Sequence, residues 1–132
     1  MSRRLDDLHP DFRPLADAFL AKLIEAKLPV LIFSTGRSQE EQDRYVEDGK
    51  STVNRSLHQD GLAIDVVIYD LWDRQGGMSL QWKKVEEYTQ IGVIGETLGL
   101  VWGGRWKTLD DPYHFEHPQG WQLAAQLHQG VH

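Results

Sequence analysis

A chain of 132 residues with 40% hydrophobic and 26% charged residues has the size and composition of one ordinary soluble globular domain with its own core. Its net charge of −6, with Lys and Arg scattered, argues against a nucleic-acid partner, which needs a basic face. Cys is absent, so disulfides and thiol chemistry are excluded, and no run reaches the ~18 apolar residues of a membrane span.

Residues 1–9 are polar and read as an irregular lead-in, without the apolar run of a secretory signal. Pro10 suits the first turn of a helix, where its missing N–H costs little. Phe12, Leu15, Ala16, Phe19, Leu20, Leu23 and Ile24 then recur at three- and four-residue spacing, which predicts a core-packing helix. Pro29 ends it, and Val30-Leu31-Ile32-Phe33 reads as a buried strand. Ser38 followed by Glu41 is a capping box for a helix through about Val46. Arg37 lies just before that cap, at a strand end, where side chains commonly point into a cleft. A surface ion pair is the alternative that composition alone favours, and Gln42 is open between a site role and a solvent-facing helix position. Asp48 to Arg55 reads as a loop whose length suits a rim beside a site.

Ser56-Leu57-His58-Gln59-Asp60-Gly61-Leu62-Ala63-Ile64-Asp65 changes from loop to strand. From Leu62 onward aliphatic and β-branched residues predict a buried strand, and Asp65 in its middle is anomalous. A buried carboxylate is costly unless paired or bound to a metal. Gly61 would let the loop fold back and bring His58 beside Asp65. Two ligands make half a site, and the best candidate for the rest is the cluster from Asp110 to His117. His and Asp on converging strands suit a catalytic Zn²⁺, which takes three protein ligands and keeps a fourth position open.

Between these segments, Tyr69 to Ser79, with Gly76-Gly77, reads as a flap or hairpin turn. Trp82, Val85, Tyr88, Ile91, Ile94 and Leu98 predict a second amphipathic helix, with Gly92 and Gly95 permitting close packing on a sheet and Gly99 stopping it. Leu100-Val101-Trp102 reads as a short strand and Gly103-Gly104 as a turn or bulge. Side chains alternate along the extended His114-Phe115-Glu116, so His114 and Glu116 share a face while His117 points away. Trp121, Leu123, Ala124 and Leu127 predict a closing helix before a frayed tail. Five Trp either fill the core or line a groove. Taken singly, each of the six His reads as structural or exposed; His9, His128 and His132 are assigned no function.

Ser56-x-His58-x-x-Gly61-x-Ala63-x-Asp65, followed by Asp111-x-x-His114, resembles the D-alanyl-D-alanine carboxypeptidase and L-alanyl-D-glutamate endopeptidase family of zinc peptidases, and within it the compact phage endolysins. The likeness extends through Thr35-Gly36-Arg37-Ser38 and Trp102-Gly103-Gly104. It implies an α+β domain: a small, mainly antiparallel sheet with helices beside it and zinc on its open face. It implies Zn²⁺ on His58, Asp65 and His114, with Asp111 as general base and Arg37 facing the substrate, where it would stabilise an oxyanion. Glu116 could orient a ligand His, and Asp110 has the wrong spacing and is read as solvated. Arg105 stands where related enzymes often carry an acidic residue.

The function so implied is hydrolysis of a peptide bond in the peptidoglycan stem, between L-alanine and D-glutamate, with D-Ala-D-Ala carboxypeptidase action as the neighbouring alternative. From another class, an inactive zinc-stabilised wall-binding module is weighed; Asp111 argues against it, since a structural zinc needs no base. The expected partner is the stem peptide, with no nucleic acid and no membrane span. Residues 1–132 are expected to form a single catalytic domain without a wall-binding module, as a monomer. Synthesis in the cytoplasm and action on the wall after release are the expected localisation.

Overall fold

A computed structural model describes residues 2–48, 56–71 and 76–128. The first helix, α1 (Arg13–Glu25), buries Phe12, Ala16, Phe19 and Leu23, the stripe that the spacing predicted, while Ile24 turns out to solvent. Pro14, not Pro10, occupies the first turn of α1. The His9 carbonyl accepts both the Phe12 and the Arg13 N–H, so the chain around Pro10 is spent on the turn that precedes the helix. Pro14 falls where a helix has no partner for its N–H in any case.

Strand β1 (Val30–Ser34) leads to helix α2 (Gln39–Glu47), opened by the predicted capping box in both directions: the Glu41 N–H donates to Ser38 Oγ and the Ser38 N–H to Glu41 Oε1. Strand β2 (Ala63–Leu71) forms the middle of the sheet. Its central stretch, Asp65 to Ile68, pairs antiparallel with β1 on one edge. On the other edge its second half pairs with β3 (Met78–Gln81) and its first half with β5 (His114–Glu116), which pairs in turn with β4 (Val101–Trp102). The arms expected around Gly76-Gly77 are thus β2, longer than predicted, and β3; residues 72–75 between them lie outside the described residues, as do the rim expected before Arg55 (residues 49–55) and the tail after His128.

Helix α3 (Val85–Thr97) starts after Trp82, which packs edge to face on Phe33 and Tyr113 instead of continuing the helix, and Val85 is exposed. Gly99, at φ 86°, stops it in the left-handed conformation that glycine adopts at low cost. Helix α4 (Gly120–Leu127) closes the described chain. One sheet face is apolar: Ile64, Val66, Ile68 and Phe115 join Phe19, Tyr88 and Ile91 in the core under α1 and α3. Gly92 and Gly95 let α3 come down onto this face, since a Cβ there would stand 2.3 Å from the Trp102 ring and 2.7 Å from Phe115. Alternation turns Asp65 and its cross-strand partner His114 to the opposite, open face. The architecture is α+β with a small antiparallel sheet, as the family resemblance implied.

Candidate metal centre and active site

His58 reaches the open face from a 3-10 turn, Leu57–Asp60, not from an irregular loop. Ser56 caps that turn by accepting the His58 N–H, and Gln59 Oε1 accepts the Ser56 N–H in return. Gly61 ends it at φ 70°, where a Cβ would meet the Asp7 carbonyl and the His9 N–H at 2.7 Å. Ser56 and Gly61 are therefore backbone devices that hold His58 beside the start of β2. Asp65 and His114 arrive by register, being directly opposed on β2 and β5.

The ligand atoms of His58, Asp65 and His114 all lie within 4.8 Å of one another. Asp65 Oδ1 stands 3.2 Å from His58 Nε2 and 3.3 Å from His114 Nδ1. Both ring nitrogens of His58 and this Asp65 oxygen are buried without a hydrogen-bond partner. Buried polar atoms carry that cost only when something else binds them, and three ligand atoms aimed at a common point fit a cation. The far nitrogen of His114, Nε2, is 2.8 Å from Glu116 Oε1. That bond fixes a proton on Nε2 and aims Nδ1 at the cluster as the nitrogen that can ligate. Ala63, small and directly across from Glu116, leaves space for this carboxylate.

Charge within the cluster follows from the same geometry. Burial holds the His58 imidazole below its ordinary pKa, against the pull of Asp65, so it stays neutral and ligand-competent. Burial opposes ionisation of Asp65 as well, but His58 and His114 outweigh it and its carboxyl titrates well below the usual range. At His114 burial is overcome by Asp65 and Glu116, which push it up to about 10 in the metal-free protein. A divalent cation would take the place of that proton between His114 and Asp65.

Asp111 is partly buried beside the cluster, and its carboxyl is raised to about 6 by burial first and by the charge of Asp65 second. Its Oδ1 accepts the Tyr113 N–H, and its own N–H donates to the Gly103 carbonyl. Arg37, nearly buried, places Nη2 at 3.9 Å from Asp65 Oδ2 and donates from Nη1 to Gln42 Oε1 at 2.7 Å. The surface ion pair is thus excluded for Arg37. Gln42 is fully buried, so it is not a solvent-facing helix position. Asp110 is exposed. His117 is buried away from the cluster, against Phe12, its Nδ1 accepting the Gln119 N–H. A cavity of about 630 Å³ opens beside the cluster between Arg37, His58, Asp60 and His128.

The structure brings together all five residues singled out for chemistry: His58, Asp65 and His114 as a trio, with Arg37 and Asp111 at its margin. Sequence reasoning did not single out Trp106, whose ring centroid lies 5.0 Å from that of His114. The count of five Trp raised the question of a groove but could not say which of them line one; Trp102 is buried, whereas Trp82, Trp106 and Trp121 are partly exposed.

Residues 49–117 match a family profile described as D-alanyl-D-alanine carboxypeptidase. The chain is 33% identical over 124 residues to the peptidoglycan L-alanyl-D-glutamate endopeptidase CwlK of Bacillus subtilis (strain 168), an alignment covering 83% of this chain and 73% of that protein. It is 30% identical over 91 residues to the L-alanyl-D-glutamate peptidase of Listeria phage A118, covering 67% of this chain and 30% of that one. Among solved structures, the L-Ala D-Glu endopeptidase ChiX of Serratia marcescens superposes with a TM-score of 0.63 at 32% identity, over 85% of this chain and 81% of that one. The LD-carboxypeptidase LdcB shares the fold, with a TM-score of 0.57 at 18% identity over 90% of this chain and 71% of that one.

Proposed function

The chain belongs to the M15 peptidase family of D-alanyl-D-alanine carboxypeptidases and L-alanyl-D-glutamate endopeptidases, and from that premise we propose that it is a zinc-dependent peptidoglycan hydrolase that cuts the L-alanyl–D-glutamyl bond of the stem peptide. The observation that carries this reading is the His58, Asp65 and His114 cluster, with ligand atoms within 4.8 Å and a raised Asp111 beside it.

Zinc held by His58 Nε2, Asp65 and His114 Nδ1 would supply a Lewis acid and lower the pKa of a water to about 7. Asp111, ionised above about 6, takes the proton from the attacking water on a carboxylate oxygen and returns it to the departing D-glutamyl nitrogen. Arg37, held by Gln42 and fixed beside Asp65, presents a cation to the oxygen of the cleaved carbonyl as negative charge develops there. Glu116 keeps the proton on His114 Nε2. Action takes place at the cell wall, where peptidoglycan, the substrate named for the Bacillus subtilis relative, is found.

Mass spectrometry of products from purified peptidoglycan tests the bond. Stem fragments beginning with D-glutamate are the expected result. Release of free D-alanine alone would make the protein a carboxypeptidase. A zinc-loaded protein that releases neither from any wall chemotype would remove the peptidase reading and leave a binding module.

A further inference from the structure

On one flank of the cluster a large aromatic side chain stands against a proposed ligand histidine and is still open to solvent. Trp106 is 39% exposed, and its ring lies 5.0 Å from the His114 imidazole at an interplanar angle of 46°. The backbone beneath it is fixed from three sides. The Gly103 carbonyl accepts both the Trp106 and the Asp111 N–H, so the Trp and the proposed base hang from one oxygen. The preceding residue, Arg105, is clamped to Glu96 of α3 by two bonds of 2.9 and 3.1 Å and lies over the Trp102 ring at 5.3 Å. Trp102 Nε1 in turn donates to the Pro112 carbonyl. An indole so held presents a rigid apolar face at the edge of a polar site, at little further entropic cost.

Substrate chemistry says what would meet that face. In a wall stem peptide the L-alanine of the cleaved bond is joined to the lactyl group of the muramyl sugar. Only the lactyl unit and one alanine separate the sugar ring from the cleaved carbonyl, a reach of roughly 7 Å when extended. A sugar presents a face of C–H groups bordered by polar groups, and a half-exposed indole matches it.

We propose that Trp106 is a sugar-binding residue: it stacks on the muramyl ring of the substrate and makes the protein prefer stem peptides still attached to glycan. This rests on the hydrolysis reading above and names what lies on the N-terminal side of the cut bond.

The test compares kcat/KM for a muramyl pentapeptide and for the same peptide without sugar, in wild type, Trp106→Ala, Trp106→Phe, Trp82→Ala and Trp121→Ala. The wild type is expected to favour the sugar-bearing substrate, chiefly through KM. Trp106→Ala should reduce that preference about tenfold, Trp106→Phe should retain most of it, and Trp121→Ala, on α4, should leave it unchanged. Equal losses on both substrates would mean that Trp106 only positions His114, and the proposal would fail while hydrolysis stood. Loss of the preference in Trp82→Ala and not in Trp106→Ala would move the sugar to the Phe33–Trp82–Tyr113 row and also overturn it. Calorimetry of the muramyl peptide on Asp111→Asn, with and without Trp106→Ala, separates the two readings. Tryptophan-dependent binding to a protein whose wild type cleaves neither substrate would sink the hydrolase and keep the sugar site; binding indifferent to Trp106, with a wild type that cleaves, would sink the sugar site and keep the hydrolase.

Discussion

Burial and the charge of Asp65 hold the Asp111 carboxyl at about 6 in the metal-free protein. A cation on Asp65 offsets part of that repulsion, so the loaded protein should have its acid limb between about 4 and 6. The sign is that of a base: activity is lost as pH falls through this limb, because a protonated carboxyl cannot accept the proton. Asp111→Asn should keep metal and fold yet lose about 10²–10⁴ of kcat, and its residual rate should no longer show the limb. A variant that lost zinc and melting temperature together would instead make Asp111 a ligand. Glu116 acts one bond further out. Glu116→Gln retains a hydrogen-bonding side chain but not the charge that fixes the His114 tautomer. Metal affinity, measured by competition with a chelating dye, is expected to drop about 10–100-fold. Affinity equal to wild type would leave Glu116 no part in orienting His114.

Between elements, the contact of α3 with β4 and β5 sets the proposed base as much as it sets the core. Gly92 seats the helix on Trp102, and the Trp102 indole holds the Pro112 carbonyl next to Asp111. Glycine in a helix interior ordinarily costs about 1 kcal/mol relative to alanine, so Gly92→Ala would stabilise an isolated helix. Here the added Cβ would lie 2.3 Å from the Trp102 ring, and overpacking of this kind costs about 1–3 kcal/mol. Denaturant melts should therefore show Gly92→Ala as a net loss of stability, with a fall in kcat because Trp102 cannot move without Pro112. A gain in stability would mean that α3 can slide on the sheet, which its second seat at Gly95 opposes.

For the whole molecule, the cluster ties the 3-10 turn before β2 to two strands of the sheet, so its occupant binds the folded chain and not the unfolded one. At a free zinc concentration a thousand times the dissociation constant, that linkage is worth ~4 kcal/mol. Chelation is expected to lower the melting temperature by on the order of 10 °C, and added zinc should restore it. The metal-free chain should still fold, since the core of α1, α3 and the apolar sheet face lies on the other side from the cluster. A chelated protein that melts at the same temperature as the loaded one would show that the cluster binds no structural cation. Among the described residues no helix is long and apolar enough to cross a membrane.

The order of helices and strands was legible because each is written in local periodicity: the α1 stripe, the Ser38–Glu41 box, the β-branched run of β2. The cluster of His58, Asp65 and His114 was legible for a different reason. Asp65 is a charge in an apolar strand that nothing local could compensate, and the family pattern pointed to His114 as its distant neighbour. Ser56 and Gly61 were readable as motif positions, but their work, capping a 3-10 turn and passing a backbone at 2.7 Å, needs the coordinates of Asp7 and His9. Gln42, Trp106 and the true place of Pro10 were decided only by tertiary structure. A buried Gln and an exposed Trp defy the usual partition of polar and apolar residues, and only the neighbours that long-range packing brings, Arg37 and His114, explain them. Periodicity along the chain tells a side chain which face it takes; register between β2 and β5, distant in sequence, tells it what it will meet there.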